Sequence, residues 1–547
     1  METTAQFRWA VFPCLVALAL SPAAWSRILY VDDDANGLDD GSSWINAYRH
    51  LQDALADANV SEKSVEIRVA QGVYRPDQRA GVTSSDRNAT FRLLSGVTLK
   101  GGYAGAGRPA PDARDIEVHR TTLTGDLKGD DAPPNAGSDS YLWQWYLWSP
   151  ASGRRENSRH VVTASGTDGS AVLDGFIISA GNDDLSEPGV REAIPVGLGG
   201  GILNVGGSPT IVNCAFSGNS AGKGAAIYSD DVDLTLTNCT FRDNHAYRGG
   251  GLYNENGTAT LVGCIFIGNS AYRGGGGLYG EASQVATSHC TFRRNDAIGG
   301  FGAAIANCGR STTVISNCLF EANRANFGAG ICNYDSSLTL TACTFNGNSG
   351  AGLGCYSVDY PSIVNATNCI LWDGQQTGSI AISGPGSTIR ISFCDVREET
   401  AGLHDAYEGV LWGDGNIIEV DPCFVSPGYW VDRRTARDNS RDDVWIDGDF
   451  HLKSQAGRWE PNSKSWVKDT ATSPCIDAGD PNSPVGDEPF PNGGRINMGV
   501  YGGTAEASRS YFGEPVCETI IAGDINGDCK VDFTDWAILT AHWLEER

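Results

Sequence analysis

Basic residues are scarce in this chain. Its 40 Lys and Arg stand against 66 Asp and Glu, a net charge of −26. Phosphate backbones are held by basic patches, and no such patch stands out, which excludes nucleic-acid binding. Acidity on this scale favours solubility and the binding of cations. Long apolar runs are also missing. After residue 26 no run approaches the roughly 20 residues that span a membrane, which excludes an integral membrane protein. The eight histidines are scattered without metal-ligand spacing, and no Ser-His-Asp set can be assembled. Glycine is plentiful at 69 of 547 residues, but it lacks the collagen period. Hydrophobic residues make up 41%, too many for a disordered chain.

What is present begins with a signal. Arg8 precedes an apolar run from Trp9 to Leu20, and Ala24-Trp25-Ser26 offers small residues for cleavage before Arg27. Secretion to the outside or to a cell surface is expected. Val11-Phe12-Pro13 before Cys14 is no lipoprotein context, so no lipid anchor is expected. The mature length suits one elongated repeat domain with small appendages.

The repeats decide the fold. Cys214, Cys239, Cys264, Cys290, Cys318, Cys343, Cys369 and Cys394 are spaced by 25, 25, 26, 28, 25, 26 and 25 residues. Most sit in phrases such as Asn213-Cys214-Ala215-Phe216 and Asn238-Cys239-Thr240-Phe241. Asn219, Asn244, Asn269, Asn295, Asn323 and Asn348 each follow such a Phe by three residues. A Gly-rich phrase runs in step, ending in Ile202, Ile227, Leu252, Leu278, Ile305 and Ile331. Short alternating segments such as Leu234-Thr235-Leu236-Thr237 are joined by Gly and Asn, which tolerate the left-handed backbone of tight corners. A unit of this length without an amphipathic helix cannot bury its own face, so the units must stack. A leucine-dense consensus, the mark of another solenoid class, is absent. The expectation is an all-β, right-handed parallel β-helix with about 25 residues per coil.

The paired phrases resemble the repeats of polymorphic outer-membrane proteins and of secreted bacterial right-handed β-helix proteins, many of them pectate-lyase-like. The resemblance covers roughly residues 160 to 425. Tyr30-Val31-Asp32-Asp33-Asp34 and Ser473-Pro474-Cys475-Ile476-Asp477-Ala478-Gly479-Asp480 look like the ends of such proteins. Fold alone does not fix function.

The expected organisation is a signal over 1–26, a cap over 27–64, coils over 65–430, a C-terminal cap segment over 431–512 and a terminal unit over 513–547. Ile45, Tyr48, Leu51, Leu55 and Ala58 recur at helical spacing and predict one amphipathic helix in the first cap. Val65 to Val69 reads as the first strand. Insertions are expected near 127–158 and 183–198. The first holds Trp143 and Trp145 in an aromatic run that suits either a sugar-stacking platform or a hydrophobic plug. Of 16 cysteines, Cys14 leaves with the signal. Stacked cysteines in parallel strands stand farther apart than a disulfide prefers, which favours a reduced buried column. Cys517 and Cys529 lie outside that column and could staple the terminal unit.

The terminal unit carries a calcium pattern. Asp524, Asn526, Asp528, Asp532 and Asp535 stand at positions 1, 3, 5, 9 and 12 of an EF-hand-type loop, and Lys530 can give its carbonyl at position 7. Calcium is the expected ion. A helix should follow, with Trp536, Leu539, Trp543 and Leu544 on its apolar side. Asp535 in place of Glu, and the Val-Asp-x-x-Asp ending, resemble a dockerin repeat. That resemblance implies a protein docking partner, although a dockerin has two loops and here there is one. Cys529 also replaces the usual Gly at position 6.

Aligning the coils gives outward ladders. Lys223, Arg248 and Arg273 share one position, Tyr228, Tyr253 and Tyr279 another, and Asp230, Glu255 and Glu281 a third. Residues i and i+2 of a strand share a face, so the Tyr and acid ladders are expected side by side and facing out. Lys223 and Asp230 are far enough apart to lie at opposite ends of one extended strand. Two functions fit. One is a secreted protein that binds a polysaccharide or cell-surface glycan, with Tyr228, Tyr253, Tyr279, Trp143 and Trp145 stacking on sugars. The other is a lyase or glycoside hydrolase acting on an acidic glycan. There Asp230, Glu255, Glu281, Arg248 and Arg273 would supply acid and base chemistry.

Overall fold

The computed structural model describes residues 27–79, 81–131, 153–183, 197–373, 378–397, 409–431, 444–510, 523, 525 and 531–542. Most of them wind into a parallel β-solenoid. Its strands form sheets of thirteen, twelve, ten and six members, and neighbours within each sheet come from successive coils.

The repeat phrases account for each coil. Asn213, Asn238 and Asn317 hold left-handed φ values of 53°, 53° and 49° and turn the chain from the thirteen-stranded to the twelve-stranded sheet. Asn accepts this backbone more readily than other residues with a Cβ. The cysteine that follows is buried, and the Phe two residues further on enters the core. Rings of Phe216, Phe241, Phe266, Phe292, Phe320 and Phe345 stack at centroid spacings of 4.4–5.2 Å. The described cysteines form no disulfide.

The asparagine after each Phe builds a buried polar column. From Asn219 to Asn323, each Nδ2 donates to the Oδ1 of the next coil's Asn at 2.8–3.0 Å. The same amides also donate to carbonyls of the preceding coil, as Asn244 does to Phe216. These buried amides are therefore paired, as burial requires. The column ends on a carboxylate: Asn348 donates its backbone N–H and its Nδ2 to Asp373 at 2.8 and 3.0 Å. Burial pushes the Asp373 carboxyl up to about 7.

Two details of the N-terminal cap differ from expectation. The helix runs only from Leu51–Val60. Tyr48 instead exchanges backbone hydrogen bonds with Tyr30 and Asp32, which ties it to a strand, and Ile45 is exposed. The thirteen-stranded sheet also starts earlier, because Arg27–Val31 pairs in parallel with Val65–Ala70. Leu51, Ala54, Leu55 and Ala58 of the helix are buried against this end.

The last coil strand is Ile417–Ile418. Beyond it the chain forms three small antiparallel pairs, including Tyr429–Val431 with Val444–Ile446. This segment lies along the flank beside the twelve-stranded sheet. Trp445 Nε1 donates to buried Glu321 at 2.7 Å, and Asn317 Nδ2 donates to the carbonyls of Val500 and Gly502. Most of both expected insertions lies outside the described residues. No described helix is long and apolar enough to cross a membrane.

Candidate functional site

The Tyr and acid ladders occupy Ile227–Asp230, Leu252–Glu255 and Leu278–Glu281, neighbouring strands of the ten-stranded sheet. Tyr228, Tyr253 and Tyr279 are in register, as are Asp230, Glu255 and Glu281. Both ladders share the face opposite the Ile227, Leu252 and Leu278 core. The tyrosines nevertheless differ from expectation. They are 5%, 0% and 4% exposed, which leaves no ring face for a sugar. Tyr253 stacks between Tyr228 at 5.7 Å and Tyr279 at 5.0 Å. Burial, and then the neighbouring carboxylates, push the Tyr228 and Tyr253 hydroxyls well up.

The basic and acidic residues meet rather than lying at opposite ends of a strand. Gly224 and Gly249, at φ of 63° and 67°, turn a corner between the six-stranded and ten-stranded sheets. That corner folds Lys223 and Arg248 back over the tyrosines. Lys223 Nζ lies 4.6 Å from the Tyr253 ring centre and 3.0 Å from Glu255. Arg248 lies 5.4 Å from the Tyr279 ring centre and 3.9 Å from Glu281. The Tyr228 hydroxyl donates to Glu255 at 2.8 Å, and that of Tyr253 donates to Glu281. Asp230 accepts from Asn256 at 3.1 Å.

Arg273 departs from its expected place. Lys223 pairs in register with Arg248, but Arg248 pairs with Gly274 across a bulge. One inserted residue turns a side chain to the other face of the strand. Arg273 therefore donates to the Tyr247 hydroxyl at 3.1 Å instead of joining the column. The column closes at the next coil, where Ala306 and Cys308 follow Tyr279 and Glu281. The hollows lined by Ser379, Ile380, Val396 and Trp412 and by Phe450, Leu452, Met498 and Tyr501 include none of these residues.

Trp143 and Trp145 lie outside the described residues. So do Asp524, Asn526, Asp528 and Lys530 of the terminal loop, together with Cys517, Cys529, Trp543 and Leu544. Asp532 and Asp535 are described. Asp535 is buried and accepts backbone N–H groups of Ile525 at 2.6 Å and Asp532 at 2.7 Å. Asp532 caps Thr534 at 2.7 Å ahead of helix Phe533–His542. Trp536 and Leu539 on that helix are exposed.

Sequence reasoning missed two clusters. Asp126, Asp130, Asp131 and Glu156 bring carboxylate oxygens within 4.8 Å of one another, a donor set suited to a hard cation. Burial raises the Asp131 and Glu156 carboxyls. The Asp126-x-x-x-Asp130-Asp131 spacing was visible, but Glu156 arrives only across the first insertion. Glu321, fully buried, pairs with Arg293 at 2.9 Å and holds Trp445. Its one signal was a carboxylate at a coil position that holds Arg293 one coil earlier and Asn346 one coil later.

A family model described as a right handed beta helix region matches residues 196–338. A second, described as disaggregatase related, matches residues 428–479. No curated protein matches the chain in sequence. Among solved structures, a pectate lyase is 13% identical, covering 87% of this chain and 96% of its own, at a TM-score of 0.44. A rhamnogalacturonan lyase is 12% identical, with coverages of 73% and 91% and a TM-score of 0.40. The A-module of a mannuronan C-5 epimerase from Azotobacter vinelandii is 16% identical, with coverages of 72% and 97% and a TM-score of 0.29. The likeness is one of fold. The coil geometry and the family model matched over residues 196–338 together define a right-handed parallel β-helix protein.

Proposed function

We propose that this is a secreted, non-catalytic polysaccharide-binding protein built on a rigid β-helix. One observation carries the reading: outward positions are held in register from coil to coil, so the strands make a one-dimensional lattice. A ligand that uses a lattice is itself periodic, and outside a cell the periodic polymers are glycans. The catalytic alternative loses support because its candidate groups already engage one another. Glu255 is held by Lys223 and Tyr228, and Glu281 by Tyr253 with Arg248 beside it. A general acid or base must reach a substrate proton, and in both residues the Oε2 atom is already held inside the chain.

Calcium at the terminal loop belongs to the same proposal. Asp524, Asn526, Asp528, Asp532, Asp535 and the Lys530 carbonyl would hold it, and it would stiffen the terminal helix for a docking partner. The test is retention of the mature protein on acidic and neutral polysaccharides, with and without calcium, alongside an assay for shortened or unsaturated products. Retention without product is expected. Product formation that disappears in Glu255→Gln or Arg248→Ala would make this an enzyme and overturn the reading.

A further inference from the structure

We infer that the outward face of six strands of the thirteen-stranded sheet, Asp233–Thr237 to Ser362–Thr367, is the surface that holds the glycan, and that the glycan is an uncharged polymer laid across the strands. This rests on the binding function proposed above. It names the surface and the substrate class.

The observation is a hydroxyl-rich outward face on an otherwise acidic protein. From Asp233–Thr237 to Ser362–Thr367 the strands present three outward columns in register. Thr235 and Thr260 pair side by side in the middle column, Ala286 and Val314 follow, and Thr339 and Asn365 continue it. Thr237 and Thr341 occupy the next column. Asp233 is the single ionisable residue on these strands, in a chain of net charge −26. The middle column is solvent-facing: Thr235 and Thr339 are exposed and Thr260 is half-buried. Among the described residues, the hydroxyls of Thr235, Thr260 and Thr339 make no hydrogen bond to the protein. They are donors and acceptors left unused.

Chemistry selects the partner. A hydroxyl both donates and accepts, so it can meet sugar hydroxyls in either sense. Threonine methyls, with Val262 and Val314 exposed among them, suit the C–H faces of sugar rings. An acidic glycan would meet no cation on these six strands, Arg390 standing beyond them on the next, and would be repelled by the whole chain. A polycation would find no carboxylate beyond Asp233. The face has no aromatic residue in these strands, so each contact is weak. Useful affinity must come from many coils acting on one long chain. Polymer should therefore bind far better than a disaccharide.

The test compares three proteins on cellulose, xylan and mannan, with polygalacturonate and alginate as acidic counterparts. They are wild type, the triple variant Thr235→Glu/Thr260→Glu/Thr339→Glu, and Arg242→Glu, a control exposed on the twelve-stranded sheet. We expect retention on a neutral polymer, at least tenfold weaker binding by the triple variant, and none of that loss in the control. Thr260→Val, which keeps shape and drops one hydroxyl, should weaken binding about two- to fivefold and serves if the triple variant misfolds. Retention on acidic polymers alone overturns this assignment but leaves the binding function standing. Equal retention by wild type, Thr260→Val and the triple variant does the same. Wild type that no glycan retains overturns the binding function itself. Face variants that change only self-association in sedimentation would make the face a contact between copies, and that also overturns the assignment.

Discussion

The same coils carry two outward faces that use their ladders in opposite ways. On the ten-stranded sheet, tyrosine, carboxylate and cation columns are brought together by a glycine corner and satisfy one another. On the thirteen-stranded sheet, Thr235, Thr260 and Thr339 share a column at the same inter-strand spacing, roughly 4.8 Å, and their hydroxyls find no partner among the described residues. A ladder is available to a ligand only when its groups do not already complete each other. Acidic and aromatic residues look more like chemistry than threonine does, yet here they contact one another. The buried asparagine column is the limiting case, fully paired along its length until it ends on Asp373.

If the comparison holds, stability should respond very differently on the two faces. Tyr253→Ala should cost the most, about 4 kcal/mol, because the ring is fully buried between two others and no neighbour can collapse into its space. Chemical denaturation checks this, and a loss below about 1 kcal/mol would mean the column is loosely held. Asp373→Asn extends the comparison to the buried column. The carboxyl titrates near 7 in the folded state, above its usual 3.8, so the folded chain binds more protons between those values. Stability from this group is present below the lower value and is lost as pH rises towards 7. Asparagine keeps an acceptor for Asn348 without a charge. The variant should match wild type near pH 4 and exceed it at pH 8 by on the order of 2 kcal/mol. Equal melting at both pH values would remove the carboxylate from this role. Glu255→Gln should cost about 1 to 2 kcal/mol, since it weakens one ion pair and one tyrosine hydrogen bond. It should leave glycan retention unchanged. Lost retention would reopen the tyrosine face as a binding site.

Much of the fold was legible because a solenoid writes its geometry as a period. Cys214 to Cys394 fixed the coil length, and Asn213 and Asn238 marked corners that the backbone confirms. The adjacency of Tyr228, Tyr253 and Tyr279 followed from the same alignment. Three features were hidden for physical reasons. A bulge within one repeat removed Arg273 from its column, and one extra residue in a repeat does not reveal which strand absorbs it. The corner that folds Lys223 onto Glu255 is a tertiary event that distance along the chain argued against. The threonine face was written in Leu234-Thr235-Leu236-Thr237, but alternation there signalled only a strand. Its meaning lay in what the neighbouring coils put beside it, and in the charge they left out.

The smallest expected effect is the sharpest test of the open face. Thr339→Val should change stability by no more than about 0.5 kcal/mol, and in either direction. Valine has the same branched shape and fits a pleated, half-exposed surface as well as threonine does. The hydroxyl it removes has no partner in the protein, so no hydrogen bond is lost and no buried group is orphaned. The same substitution at a position whose hydroxyl is engaged behaves otherwise. Thr121, buried, accepts from the Gly102 N–H at 2.9 Å and donates to the Ala70 carbonyl at 3.1 Å. Thr121→Val should therefore cost about 1 to 3 kcal/mol. Parallel denaturation curves for the two variants give the ratio directly. If Thr339→Val costs as much as Thr121→Val, the hydroxyls of the open face are already committed to the fold, and the distinction between the two faces fails.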